Sequence, residues 1–79
     1  MKFIIFVFDS THRAIKADKL LTQNSLKFEV IPTPKEITSD CGIALRINPE
    51  LTNPEIVWQL LESNSIIFRT QKNFQHEIF

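Results

Sequence analysis

The side chain best suited to nucleophilic chemistry in this chain is the thiol of Cys41, the only cysteine among 79 residues. It is followed by Gly42, the only glycine, and both lie in the segment IPTPKEITSDCGIALR, residues 31–46. A thiolate attacks sulfur electrophiles at a rate that depends on its ionisation and its access. A lone cysteine forms no internal disulfide and is typical of a reducing compartment, so the chemistry to consider is that of a free thiol.

Two interpretations of Cys41 follow from its surroundings. A free cysteine often serves as a small buried hydrophobe, with no chemical role. Against this, the preceding polar residues 38–40 predict a loop-to-strand junction, where functional residues are common. Gly42 permits positive φ and close approach of a partner's backbone. The residues alone leave both interpretations open, and the functional one requires a thiol that a partner can reach.

Charged residues near Cys41 also have two interpretations. Lys35 and Arg46 are close in sequence and can stabilise a thiolate or a persulfide anion, which Asp40 would oppose. They are equally interpreted as solvated surface charges. In an alternating strand Arg46 shares a face with Ala44 and projects from the sheet. Thr33 followed by Pro34 resembles a helix cap, which predicts a short turn over residues 34–39 that presents the thiol.

His12 is the other candidate for chemistry, because a Cys–His pair is a common nucleophilic arrangement. It lies in the first turn of a predicted helix. We expect the first and third strands to be parallel, which places His12 and Cys41 at opposite ends of the sheet, roughly 15–20 Å apart. The sequence therefore predicts a surface or capping histidine.

The hydrophobic pattern predicts six elements in the order βαββαβ. The strands are predicted at residues 3–8, 28–31, 43–47 and 66–70. Asp9 or Ser10 caps a helix over residues 11–23, and Asn24 is its expected left-handed stop. The second helix begins at Asn53-Pro54-Glu55, a cap followed by proline and an acid in the first turn.

The two halves of the chain resemble each other. LLTQNSLKF at residues 20–28 and LLESNSIIF at residues 60–68 agree at five of nine positions. Such repetition is typical of the two βαβ halves of a ferredoxin-like sheet. We therefore predict an α+β fold: one ferredoxin-like domain over residues 1–71, with a four-stranded antiparallel sheet, both helices on one face, and a C-terminal tail over residues 72–79.

The sheet face without helices is expected to carry apolar side chains from the first strand, either Phe3, Ile5 and Val7 or the alternate set. Such a surface needs a cover. The tail or a second copy of the chain can supply it, and the pattern favours a homodimer.

Composition argues against several classes of function. Nine basic and nine acidic residues balance, and the predicted third strand IALRI lacks the aromatic residues of an RNA-recognition motif, so nucleic acid is not an expected partner. One cysteine and two distant histidines show no metal-ligand spacing. A chain with one glycine has no phosphate-binding loop, and no cofactor is expected. The apolar run after Met1 is short and lacks a cleavage site, which favours a cytoplasmic protein outside the membrane.

Two segments resemble a known family. STHRAIKADKLL, residues 10–21, and IPTPKEITSDCGIALRI, residues 31–47, are similar to the two motifs of the selenium/sulfur carrier protein-like family. The second motif is P-x-P-[KR]-E-I-S-S-x-C-G-[LI]-A-[LI]-R, in which selenocysteine replaces the cysteine in some relatives. Cys41, Gly42, Lys35, Ser39 and Arg46 fall in register, and Thr38 stands at a usual serine.

The resemblance implies that Cys41 is a carrier cysteine. It would hold sulfur or selenium as a persulfide or selenopersulfide, taken from a donor such as a cysteine desulfurase and passed to an acceptor enzyme. Such a shuttle needs no substrate pocket of its own. The alternative is a binding or regulatory module without chemistry, which uses the open sheet face for dimerisation or partner docking.

Overall fold

The structure is a computed structural model that describes residues 3–35, 37 and 41–74, with only the backbone of 72–74. Four strands and two helices follow one another in the predicted order: β1 Phe3–Val7, α1 Thr11–Gln23, β2 Glu29–Pro32, β3 Ile43–Ile47, α2 Pro54–Ser63 and β4 Arg69–Phe74. The predicted α+β class is confirmed, and the bounds of α1 and β3 agree with those predicted.

The start of each helix is fixed by a capping side chain. The Ser10 Oγ accepts the backbone N–H of Arg13 at 3.2 Å, so Ser10 rather than Asp9 caps α1. The Asn53 Oδ1 accepts the N–H of Glu55 at 2.9 Å, and Pro54 follows as the first helical residue. A capping side chain satisfies an amide that has no partner within the helix, and proline has no N–H to satisfy.

The sheet is antiparallel throughout, with the strand order β2-β3-β1-β4. The expectation that β1 and β3 are parallel is wrong, because Val7 at the end of β1 pairs with Ala44 at the start of β3. The physical reason is simple: the crossover through α1 restores the chain direction in β2, and the turn into β3 then reverses it. The end of β1 and the start of β3 therefore meet at one end of the sheet.

The fourth strand begins three residues later than predicted, at Arg69. The apolar residues Ile66 and Phe68 belong to the predicted strand, but they lie in the connection from α2. There they pack against the core between the helices and the sheet. The polar sequence RTQKNF forms the strand because β4 is an edge strand with a single partner, and such strands tolerate polar residues. Residues 72–74, assigned to the tail, belong to this strand; residues 75–79 lie outside the described residues.

The two helix ends confirm the internal repeat. In each, an Asn side chain donates to a Leu carbonyl at 2.8 Å: Asn24 to Leu20 and Asn64 to Leu60. The left-handed residue is the following serine, Ser25 or Ser65, with φ of 57° and 58°, and not the predicted Asn. Both ends form the hydrogen bonds of a Schellman motif.

Apolar side chains fill both faces of the sheet. Both helices cover one face, where the main core contains the buried residues Phe6, Phe8, Ala14, Ala17, Leu21, Cys41, Leu45, Ile47, Val57, Leu61 and Ile66. The other side, which we call the open face, carries Phe3, Ile5 and Val7 with Ile31 and Ala44. Within the described residues no helix is long and apolar enough to cross a membrane.

Candidate functional site

The backbone of Cys41 is held by Thr33, which follows β2. The Thr33 hydroxyl donates to the Cys41 carbonyl at 2.8 Å, and the Thr33 N–H donates to the Gly42 carbonyl at 3.0 Å. These bonds continue the β2–β3 pairing beyond Pro32, which has no N–H to donate. Cys41 therefore lies at a loop-to-strand junction, as predicted, and its position is set by the sheet.

The Cys41 side chain turns inward into the core between the helices and the sheet. Only 2% of the residue is exposed, so this arrangement does not give the direct access that the functional interpretation requires. Its Sγ lies 3.1 Å from the Ile43 carbonyl oxygen and 4.0 Å from the Thr11 Oγ1. A thiol has one proton and can donate to only one of these oxygens at a time. The thiol is buried, but its surroundings are partly polar.

The contact with Thr11 brings the thiol to the first turn of α1. Because β1 and β3 are antiparallel, the segment that leaves β1 and the residue that precedes β3 lie at the same end of the sheet. The prediction that His12 and Cys41 lie at opposite ends of the sheet is therefore wrong. His12 directly follows Thr11, whose Oγ1 lies 4.0 Å from the Cys41 Sγ. The side chain of His12 itself is exposed and does not cap the helix, because Ser10 does.

The first turn of α1 also contains backbone hydrogen-bond donors. Within the described part of the chain, the backbone N–H groups of Thr11 and His12 have no acceptor. The turn contains no acidic residue, and Asp9 just before it is paired with Arg13 at 2.6 Å. The partial positive charge of a helix N-terminus favours an anion at such a position.

Gly42 is exposed, and a Cβ built on it meets no atom within 4 Å. Its φ is not positive, so the backbone here does not require glycine for its conformation. Open space next to the cysteine agrees with close approach by a partner, which stays a prediction.

Lys35 is exposed in a turn that the Ile37 N–H closes on the Pro34 carbonyl at 3.0 Å. The predicted turn after Thr33 is thus present at its start. The role of Lys35 toward a thiolate stays a prediction, and Ser39 lies outside the described residues.

Arg46 does not lie with Cys41. Its guanidinium donates from Nε and Nη2 to the Glu29 Oε1 at 2.9 and 2.6 Å, and its Cζ lies 4.6 Å from the centre of the Phe3 ring. These partners place it on the open face, while the thiol is on the helix side of the sheet. The prediction that Arg46 projects from the sheet on the side of Ala44 is confirmed, but direct stabilisation of the thiolate by Arg46 is wrong.

The contact of Thr11 with the thiol and the bond of Thr33 to the Cys41 backbone were not predicted from the sequence. Each threonine stands in one of the two motifs. The antiparallel pairing of β1 with β3 brings Thr11 to Cys41, and the pairing of β2 with β3 brings Thr33 there. Among the described residues, no group of three His, Cys, Asp or Glu side chains is arranged to hold a metal ion.

The site is thus a single cysteine, set between two threonines at the junction of a small α+β domain, with its thiol beneath the start of a helix. Residues 3–70 match the family described as "Putative Se/S carrier protein-like", and the chain belongs to this family. No curated protein and no solved structure matches the chain.

Proposed function

We propose that this chain carries a sulfane sulfur or selenium atom on Cys41 between a donor and an acceptor protein. The observation that carries the proposal is the placement of the only thiol against the first turn of α1, with Sγ 4.0 Å from the Thr11 Oγ1. Membership of a selenium/sulfur carrier family supports the same cysteine chemistry.

The transfer needs no oxidant or reductant. The Cys41 thiolate attacks the outer sulfur of a donor persulfide, and a new S–S bond forms as the donor's own S–S bond breaks. The electron pair of the broken bond leaves with the donor cysteine as a thiolate. Cys41 then carries a persulfide, and a second thiolate attack on its terminal sulfur returns the Cys41 thiolate. With selenium the intermediate is a selenopersulfide.

The first turn of α1 can stabilise the anionic forms of the carrier. The Thr11 hydroxyl is placed to donate to a thiolate, and the amides of Thr11 and His12 are donors in the same turn. A hydrogen bond to a charged group is worth about 1.5–3 kcal/mol, more than one between neutral groups. Thr11 is thus proposed for the role that one of the two interpretations of Lys35 and Arg46 gave to those residues.

The buried thiol must become accessible before transfer. In the described arrangement the thiol donates to the Ile43 carbonyl oxygen, and transfer requires that this hydrogen bond is broken. Reaction at a residue that is 2% exposed requires a local opening. The opening lies between the first turn of α1 and the Cys41–Gly42 junction and needs to admit only the outer sulfur of a donor, so the Thr11 hydroxyl stays within reach of Sγ.

The partners are proteins that present a persulfide or a thiolate. A cysteine desulfurase is the expected type of donor, and the acceptor is an enzyme that consumes sulfur or selenium. Because the carrier thiol must stay free between transfers, and thiols stay reduced in the cytosol, we propose a cytoplasmic site of action. Lys35, Ser39 and Gly42 are proposed to support docking of these partners around Cys41.

The direct test is the intact mass of the chain after incubation with a cysteine desulfurase and cysteine. We expect an adduct of about 32 Da that maps to Cys41 and disappears on reduction, as persulfides do. The matched control is Cys41→Ser, which removes the nucleophile and keeps the size. An unmodified wild-type chain, under conditions that load a known thiol acceptor, would contradict the proposal.

The non-catalytic alternative places a partner or a second copy on the open face. Four of its residues, Ile5, Val7, Ile31 and Ala44, are already buried within a single chain, so they do not require a dimer for their burial. Homodimerisation stays a prediction, and sedimentation equilibrium tests it. Partner binding that survives Cys41→Ser, together with absent loading, would favour the alternative.

A further inference from the structure

A groove runs along the side of α2 that faces β4, at the edge of the sheet where β4 lies. Its volume is about 830 Å³, and it is open to solvent. The described residues that form it include Ile4, Phe6, Thr70, Trp58, Glu55 and Glu62. We call it the Trp58 groove. A smaller depression beside it shares Trp58 and Glu62 and extends to Ile67, which is 59% exposed.

The indole of Trp58 is held in place although it is 40% exposed. Its ring meets Phe68 edge-on at 4.9 Å between centroids, and Phe68 in turn packs on Phe6 at 5.3 Å. Phe6 belongs to the central strand and is fully buried. An exposed tryptophan fixed by its neighbours loses little freedom on binding, which is why tryptophan is frequent at the centre of interfaces.

Among the described residues that line the groove, the charged ones are both acidic. Glu55 and Glu62 line it about two helical turns apart, with Trp58 between them. The residues from 47 to 68 contain Glu50, Glu55 and Glu62 but no lysine or arginine. In contrast, α1 carries Arg13, Lys16 and Lys19 with a single acid, Asp18. The net charges of the two helices are thus opposite in sign.

We propose that the Trp58 groove binds a segment of another protein in which an apolar side chain is flanked by lysine or arginine. The apolar side chain packs on the indole, and the flanking cations reach Glu55 and Glu62. Charge complementarity selects this occupant over an acidic segment, since like charges across an interface oppose binding. The inference is independent of the chemistry at Cys41, because the groove lies at the β4 edge, while Cys41 precedes β3.

The test uses the fluorescence of Trp58, the only tryptophan of the chain. The full chain is titrated with the peptide acetyl-Lys-Phe-Lys-Leu-Lys-amide and, separately, with acetyl-Glu-Phe-Glu-Leu-Glu-amide. We expect the basic peptide to shift the emission to shorter wavelength with saturation and the acidic peptide to have no effect. The affinity for the basic peptide should fall as salt increases, because ions screen exposed charge pairs.

Substitutions locate the binding. Glu55→Gln and Glu62→Gln should each weaken binding about twofold to fivefold, the range of an exposed charge pair. Glu50→Gln, which removes an acid of the same region outside the groove, is the matched control and should leave the affinity unchanged. Trp58→Ala, followed by calorimetry, should weaken binding at least about tenfold if the indole is the anchor.

Three results would overturn the inference. The first is equal binding of the two peptides, and the second is binding of the basic peptide that Glu55→Gln and Glu62→Gln leave unchanged. The third is a concentration-dependent dimer in sedimentation that Glu62→Gln abolishes, because the occupant would then be a second copy of this chain. Loading of Cys41 with sulfur is measured in parallel; peptide binding that persists in Cys41→Ser separates this surface from the carrier function.

Discussion

Helices α1 and α2 end in the same way but begin differently. At each C-terminal end an Asn donates to a Leu carbonyl and a Ser adopts positive φ. At the N-terminal ends, α2 has Glu55 in its first turn, whereas α1 has no acid there and has the Cys41 thiol against Thr11 instead. The two halves thus share the structure of their helix ends, and only the start of α1 lacks an acid and contacts the thiol.

Cys41 and Trp58 also differ in their exposure to solvent. The Cys41 thiol, just before β3, lies beneath the surface at 2% exposure, while Trp58 on α2 exposes its aromatic ring at 40%. Cys41 lies at one end of the sheet, before the central strand β3, whereas Trp58 lies beside the edge strand β4.

The largest predicted effect tests whether the two halves of the repeat contribute equally to the free energy of unfolding. Leu21→Ala and Leu61→Ala remove fully buried side chains at matching positions of the repeat, and each should cost about 2–5 kcal/mol of unfolding free energy. Leu51→Ala, at an exposed position, should change it by less than about 0.5 kcal/mol. Urea denaturation measures all three. A cost limited to one of the buried leucines would show that the halves are not equivalent.

Thr11→Val should slow sulfur loading of Cys41 about tenfold, because the valine cannot donate to the thiolate and a hydrogen bond to a charge is worth about 1.5–3 kcal/mol. Thr11→Ser, which keeps the hydroxyl, should restore most of the rate. The matched control is Thr22→Val in the last turn of α1, where the hydroxyl bonds to Asp18. Equal loading by wild type and Thr11→Val would remove Thr11 from the proposed role.

The caps distinguish the two helix starts. Ser10→Ala and Asn53→Ala should each cost about 1 kcal/mol of stability, the usual value for a lost cap. Only Ser10→Ala loosens the turn above the thiol, so it should raise the rate of Cys41 alkylation about fivefold in native conditions. If Asn53→Ala raises that rate equally, the thiol is exposed by global unfolding and not by opening of α1.

The smallest predicted effect is at the C-terminal ends of the two helices, which have the same structure. Ser25→Gly and Ser65→Gly should each increase the unfolding free energy by about 0.5–1 kcal/mol, because glycine adopts positive φ without the steric cost that a side chain incurs. Thermal and urea unfolding measure the gain. A gain at one serine and a loss at the other would show that the two Schellman turns differ in strain.

Much of the fold could be predicted from local signals. Ser10 before α1 and Asn53-Pro54 before α2 are strong starts, and the structure uses each of them. The start of β4 differs from the prediction because the apolar run at residues 66–68 matches a strand by composition, whereas Ile66 and Phe68 pack against the core under α2. Composition does not distinguish a buried connection from a buried strand.

The site could be predicted less well than the fold. The motif is enough to select Cys41 as the candidate site residue. Its burial and its contact with Thr11 depend on tertiary packing. The direction of β3 relative to β1 could have been derived from the crossover and the turn, and it would have brought the two motifs together. The pairing of Arg46 with Glu29 on the open face depends on the register of β2 with β3, which sequence patterns leave open.

The most direct measurement follows a labelled sulfur atom through one cycle. The chain is loaded by a cysteine desulfurase with ³⁴S-cysteine, isolated, and then mixed with an excess of a second thiol. The account predicts that the label is on Cys41 after loading and moves quantitatively to the second thiol, leaving an unmodified chain. Label that stays on the protein, or that is found on Cys41→Ser as well, would contradict the claim that this residue is a carrier.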